Sequence, residues 1–342
     1  MAQKSRILLV GCGGVGTIAA LNLEHGNKAE VSCVLRSNFE IVNMQGFTIR
    51  SCEHGDLTAW RPSQSQNPCS SVLDKVPDIS DPKVQHFDYI VCCTKNTPDI
   101  NPIGQIIAPA VSPNHTVIVL IQNGLNIEKP LMAQFPHNMI LSGVSRIDAH
   151  EISKGVIEQK QRDLLYVGPF PSQSHDAESL SKSSLHFIDI YGAAGKTTCL
   201  YKPDVGYDRW AKLVYNATLN PVSALVDLNT GELQMTSVID TLVIPAMREV
   251  MKVAEAAGHK LPDEIIEETI RSNPIEKMIT PSMQVDTQMG SFIEHENLLG
   301  EVCRDAQRLG VDAPILSTLY SLCVAVQWRT KRNKGLKDSN FS

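Results

Sequence analysis

Lys212, Asn216 and Asn220 stand four residues apart in the run Arg209-Trp210-Ala211-Lys212-Leu213-Val214-Tyr215-Asn216-Ala217-Thr218-Leu219-Asn220-Pro221. On one α-helix this spacing puts an amine and two amides on a single face, with Leu213 and Ala217 on the buried flank. A solvated face ordinarily prefers Glu, Lys or Gln, and asparagine is a poor helix former, so the stripe points to a site. The bland alternative is an exposed lysine with two asparagines that packing tolerates. Lys95 and Asn123 each follow an apolar run. Lys95 offers a point charge for a carboxylate or phosphate, and Asn123 offers both an amide donor and an acceptor. Alone, either is an ordinary loop residue. What singles them out is their place at the carboxyl ends of expected parallel strands, outside which ligands of such sheets bind. Farther on, Ser282-Met283-Gln284-Val285-Asp286 precedes Gly290 and Glu294. Glu294 opens an amphipathic run, where a carboxylate also serves as a helix cap or dipole partner, and residue type leaves both readings open.

A second chemistry is written near the start. Gly11-Cys12-Gly13-Gly14-Val15-Gly16 follows the apolar run Ile7-Leu8-Leu9-Val10 and precedes an alanine-rich helical pattern. Strand, tight glycine turn and helix in this order bring a backbone close to a dinucleotide pyrophosphate. Gly11 permits the turn, Gly13 leaves room for the phosphates, and Gly16 lets helix and strand pack closely. The N–H groups and positive dipole end of the helix then face the anion. The next strand ends in Leu35-Arg36-Ser37-Asn38, where an NAD site usually carries Asp or Glu for the ribose 2′-hydroxyl. Arg36 instead suits a 2′-phosphate through a forked contact, with Ser37 or Asn38 as neutral donors, which selects NADP(H). The alternative for Arg36 is a solvated residue at a strand end.

The elements that must position these residues fall into two kinds. Up to about residue 200, apolar β runs (88–93, 116–121, 139–144, 164–168) alternate with helical or loop segments, predicting a mainly parallel sheet with helices on both faces. Residues 61–81 and 169–178 read as surface insertions. Past Pro203 the periodicity becomes helical, over residues 205–226, 237–257, 294–309 and 314–329. The expected organisation is an α/β dinucleotide-binding domain over 1–202, an all-α domain over 203–330 and a basic tail over 331–342. That tail is expected to be a frayed terminus, with a localisation or phosphate-binding patch as the alternative.

Composition narrows the classes. A chain of 342 residues with 42% apolar content supports two packed domains. The net charge of −6 argues against nucleic acid as the main partner. No window reaches the apolar length of a membrane helix. Nine cysteines without framework spacing, several inside apolar strands, read as buried thiols of a reducing cytoplasm. Ten histidines form no ligand cluster, so no metal is expected. The first residues run directly into the first strand, and no signal peptide is expected.

Together these segments resemble the ketopantoate reductase (2-dehydropantoate 2-reductase) family. The carriers are the G-x-G-x-x-G turn, Lys95, Asn123-Gly124, Trp210-Ala211-Lys212 with Asn216 and Asn220, Ser282-Met283 with Asp286, and Glu294, in order across the whole chain. The resemblance implies a Rossmann-type N-terminal domain, a helical C-terminal domain, NADPH as hydride donor and a small 2-oxo acid as acceptor. By position it makes Lys212 the general acid and Glu294 the holder of the substrate hydroxyl. Asn216, Asn220 and Ser282 shape the substrate site, and Lys95 and Asn123 line the cofactor side, with Asn123 also reaching substrate. An unperturbed lysine, with a pKa of about 10.4, already carries the proton that a nascent alkoxide needs.

Four departures alter the polar surroundings. The family usually has Gly-Arg-x-Thr before the glutamate, where Gly290-Ser291-Phe292-Ile293 stands, and Leu299-Gly300 replaces an Asn-Gly pair. Asn229-Thr230-Gly231-Glu232-Leu233 shifts or loses one amide, and Ile279-Thr280-Pro281 lacks a common asparagine. Reduction of ketopantoate to (R)-pantoate is the first reading. A reductase of another 2-oxo acid or ketone and a non-enzymatic NADP(H)-binding regulator are the alternatives. A homodimer through the helical domain is compatible with all three, although no exposed apolar stripe identifies its surface.

Overall fold

The structure, a computed structural model, describes residues 3–62 and 71–336. Its strands are β1 (Ser5–Val10), β2 (Ala29–Val34), β3 (Phe47–Ser51), β4 (Gly55–Trp60), β5 (Val72–Leu73) and β6 (Tyr89–Cys92). Then follow β7 (Val117–Leu120), β8 (Ile140–Ser145), β9 (Asp148–Ser153), β10 (Val156–Gln161), β11 (Leu164–Pro169) and β12 (Thr198–Tyr201). Eight of them form one sheet in the order β12-β11-β8-β7-β6-β1-β2-β5. Every neighbouring pair is parallel except β8 with β11. The α/β expectation with a mainly parallel sheet is borne out.

Why these runs become central strands is visible in β1. Successive side chains point to opposite faces, and both faces are covered, so nothing polar fits. Ile7 and Leu9 join the core that includes Ile18 and Leu21 of the helix Gly14–His25. Leu8 and Val10 join the opposite core with Ile90, Ile107 and Ile118.

A second sheet, in the order β4-β3-β10-β9, has no counterpart among the apolar runs of the sequence. Its strands β9 (Asp-Ala-His-Glu-Ile-Ser) and β10 (Val-Ile-Glu-Gln-Lys-Gln) carry too many polar residues to read as core. They form because only one face is covered. β9 lies over the first turn of the helix Gly14–His25, so close that a Cβ on Gly14 would collide with the Ala149 carbonyl.

The expected insertions also take on structure. Residues 63–70 of the segment 61–81 lie outside the described residues, but β5 within it extends the main sheet beside β2. In the segment 169–178, Asp176 caps the helix Ala177–Tyr191 by accepting the Ser179 N–H at 2.8 Å.

Beyond Val205 the described chain is helical. The core gathers Trp210, Leu213, Val214, Met247, Val250 and Leu316 from the helices Val205–Asn216, Ile244–Ala256 and Pro314–Asn333. The last helix continues three residues past the boundary expected at 330. Lys331 pairs with Asp99 at 3.1 Å, the two side chains being 20% and 21% exposed, so the start of the basic segment is docked rather than frayed. Residues 337–342 lie outside the described residues.

The chain divides into two compact units that do not follow a single cut. One comprises Met1–Lys95, Asn101–Gln122 and Ile127–Val205. The other comprises Asn96–Ile100, Asn123–Asn126 and Gly206–Ser342. Two short loops, directly after β6 and β7 in the sequence apart from one or a few residues, thus belong with the helices.

Candidate active site

In the helical unit the lysine-bearing segment differs from expectation. The helix ends at Asn216, the chain turns through Ala217 and Thr218 (φ −129°, ψ −80°), and a new helix runs over Leu219–Val226. Lys212, Asn216 and Asn220 therefore do not share one continuous helix face. The reason is Pro221, which lacks an N–H for the Ala217 carbonyl and whose ring would collide with it in an unbroken helix. Thr218 closes the first helix instead, its hydroxyl donating to the Val214 carbonyl at 2.5 Å.

The break gives the two ends different partners. Lys212, half-buried, donates from Nζ to Asn123 Oδ1 at 2.7 Å. Asn220, 2% exposed, accepts the Met283 N–H on Oδ1 at 2.9 Å, and its Nδ2 donates to Ser282 Oγ at 3.4 Å. Asn216 is buried at the end of the first helix. Ser282 is exposed at the start of the helix Ser282–Gln288.

Asn123 is held by its own loop. Gly124, at φ +109°, approaches Asn297 so closely that a Cβ would come within 2.5 Å of the Asn297 Cβ. Buried Arg209 donates to the Gly124 carbonyl at 2.8 Å. Asn297 grips Leu125 reciprocally, accepting its N–H at 2.8 Å and donating from Nδ2 to its carbonyl at 2.9 Å. The lysine's acceptor is thus fixed by a buried frame that includes Arg209 and Asn297, neither of which stood out in the sequence.

Glu294 is 8% exposed, and its Oε1 accepts the backbone N–H of Asn96 at 2.7 Å. The carboxylate, for which residue type leaves cap and site both open, takes a donor from a loop 198 residues away. Sequence reading could not find this donor, because it is a main-chain group without a side-chain signature. Directly after Glu294 and His295 comes a π-turn over Glu296–Gly300, a form often met at functional sites. Within it the His295 ring holds the Glu296 carboxyl down to about 2, with Tyr320 and Arg304 assisting.

The altered family positions also acquire roles. Asn229 forms a capping box with Glu232, accepting its N–H at 3.0 Å while Glu232 accepts the Asn229 N–H at 2.8 Å. This amide is spent on helix geometry. Ile293, before the glutamate, donates its N–H to Gln327 Oε1 at 3.0 Å.

In the sheet unit, β1 leads into the glycine turn and the helix Gly14–His25. Gly11 takes φ +98°, and a Cβ on Gly16 would collide with the Gly11 carbonyl. Gly13 is exposed, with nothing within 4 Å of where its Cβ would be. Burial pushes the Cys12 thiol up, which makes it a packing residue. Arg36 is exposed at the end of β2. Asn38 is not an idle donor: its Nδ2 donates to the Cys12 carbonyl at 3.1 Å and to Glu151 Oε1 at 2.8 Å, bracing the turn. Lys95, exposed, closes its stretch of the sheet unit.

Among the described residues no group of His, Cys, Asp and Glu could hold a metal ion, and no helix is long and apolar enough to cross a membrane.

Comparison with known proteins agrees along the chain. The family model "Ketopantoate reductase PanE/ApbA" matches residues 7–172, and its C-terminal counterpart matches 204–327. An uncharacterized protein of Saccharomyces cerevisiae is 37% identical, over 97% of this chain and 96% of its own. A 2-dehydropantoate 2-reductase of a Nostoc species is 24% identical, over 98% and 100%. The crystal structure of 2-dehydropantoate 2-reductase from Methylococcus capsulatus has 29% sequence identity and a TM-score of 0.76, covering 97% of this chain and all of that one. With both family regions matched in order and the fold in agreement, this chain belongs to the ketopantoate reductase family and is an oxidoreductase acting on a CH–OH/C=O group.

Proposed function

We propose that this chain is a cytoplasmic NADPH-dependent 2-dehydropantoate 2-reductase, which converts ketopantoate to (R)-pantoate for pantothenate biosynthesis. The observation that carries the reading is the Lys212 Nζ–Asn123 Oδ1 bond at 2.7 Å, in a helical unit that also holds Glu294 on the Asn96 N–H. Half-buried Lys212 is held at this contact by an amide acceptor that is itself fixed in its loop. The ammonium then stabilises negative charge developing on the carbonyl oxygen and donates the proton. Glu294 accepts the substrate hydroxyl, and Asn216, Asn220 and Ser282 shape the surrounding polar site.

The sheet unit is the NADP-binding half. The open space at Gly13 and the helix N-terminus at Gly14 fit a pyrophosphate, with the turn Gly11, Cys12, Gly13, Gly14, Val15 and Gly16 around it. Bound there, reduced nicotinamide supplies the hydride. Arg36 takes the 2′-phosphate and Lys95 lines the same side. Arg36→Asp is expected to invert the preference from NADPH to NADH in steady-state assays with each cofactor; equal use of both by the unsubstituted protein would remove this role.

A second reading is favoured by the altered surroundings of Glu294 and by the use of Asn229 as a cap: reduction of a different 2-oxo acid or ketone. Buried polar groups built for one substrate discriminate strongly against others. NADPH oxidation measured with ketopantoate, pyruvate and bulkier 2-oxo acids separates the readings. Ketopantoate as the best substrate by kcat/KM supports the first, and another ketone supports the second. Tight NADPH binding without turnover on any of them points to a regulator.

A further inference from the structure

Gln327 lies on the helix Pro314–Asn333, far in sequence from every residue assigned above, and is 2% exposed. Its Oε1 accepts the N–H of Ile293, the residue immediately before Glu294, at 3.0 Å. Its Nε2 donates to both oxygens of Asp99, at 3.1 and 3.4 Å. Asp99 belongs to the loop Asn96–Ile100, whose first residue donates its N–H to Glu294 at 2.7 Å. Lys331, one helical turn beyond Gln327, pairs with the same Asp99 at 3.1 Å.

These contacts form a closed arrangement around Glu294. One arm fixes the backbone that carries the glutamate; the other fixes the loop that donates to its carboxylate. The orientation of the Gln327 amide is dictated from both sides, because a main-chain N–H can only donate and a carboxylate can only accept. At this position a side chain with one acceptor and one donor is needed. Leucine would leave the Ile293 N–H and the Asp99 carboxylate to find other partners, and glutamate would set two carboxylates against each other.

We infer that Gln327, acting through Asp99 and the Ile293 N–H, is a positioning residue that sets the carboxylate of Glu294 for the substrate's hydroxyl. The inference rests on the reading of Glu294 given above. It touches no substrate itself; its effect is to remove freedom from the backbone and loop on which the glutamate depends. Misplacement of a substrate-holding group by about 1 Å costs on the order of 10²-fold in rate.

The test is steady-state kinetics with ketopantoate and NADPH on Gln327→Leu, Gln327→Glu and the double variant Gln327→Glu with Asp99→Asn. The single variants are expected to lower kcat/KM for the oxo acid by about 10-fold to 10²-fold, chiefly through its KM, with the KM for NADPH unchanged. The double variant exchanges donor and acceptor and is expected to recover most of the loss. A general weakening of the fold would raise both KM values and would not be repaired by the exchange. Unaltered kinetics in the single variants, or no recovery in the double one, overturns the inference. Should Gln327→Leu fail to fold, the Gln327→Glu pair carries the same comparison. Should the unsubstituted protein reduce no ketone, hydrogen exchange decides positioning separately. Faster exchange of the Asn96 and Ile293 amides in Gln327→Glu, reversed in the double variant, supports it, and unchanged exchange overturns it.

Discussion

Lys212→Ala is expected to lower kcat for ketone reduction by at least about 10²-fold, the usual contribution of a positioned general acid. NADPH affinity, measured by fluorescence titration, should stay as it is. The reasoning starts from the 2.7 Å bond between Lys212 Nζ and Asn123 Oδ1. Truncation removes the ammonium while leaving the Asn123 loop anchored by Arg209 and Asn297. Loss of turnover with intact cofactor binding therefore reports the missing charge and proton. A variant as active as the parent would take Lys212 out of the mechanism.

The second large effect concerns two glycines three residues apart whose substitutions should fail differently. Gly16→Ala places a methyl group against the Gly11 carbonyl, where backbone must move, at a cost of about 1–3 kcal/mol as for other overpacked sites. Its melting temperature should fall together with dinucleotide affinity. Gly13→Ala meets nothing in the folded protein, so its melting temperature should hold within the small range of surface substitutions. Its NADPH affinity should nevertheless drop at least about 10-fold, since the methyl group occupies the approach of the pyrophosphate. Thermal melts and NADPH titrations on the two variants check the contrast. Full affinity in Gly13→Ala would mean that the turn does not face the phosphates.

How much of this was legible in the sequence depended on the kind of group involved. Runs such as Ile7-Leu8-Leu9-Val10 declare a central strand, because both faces of the sheet must be apolar. The one-sided strands β9 and β10 carry no such signature, and the second sheet went unread. Lys212, Asn123 and Glu294 were recognisable as side chains, yet their partners were less so. The donor to Glu294 is the Asn96 main chain, and Gln327 is joined to the site only by folding. The four-residue spacing through Asn220 matches one helix face, but Pro221 breaks the helix before that face can continue. Asn38 was legible as a donor but not as one already engaged by Cys12 and Glu151.

The loops Asn96–Ile100 and Asn123–Asn126 bear on inheritance. Because they lie amid sheet-forming sequence while belonging to the helical body, the polypeptide passes between its two bodies five times. Exchanging everything after Val205 with a relative would transplant the lysine while keeping the host's Asn123, and the glutamate while keeping the host's Asn96. Crossovers at that apparent seam should therefore give chimaeras that keep dinucleotide affinity but lose turnover, unless the nine loop residues travel with the helices (5 from 96–100 and 4 from 123–126).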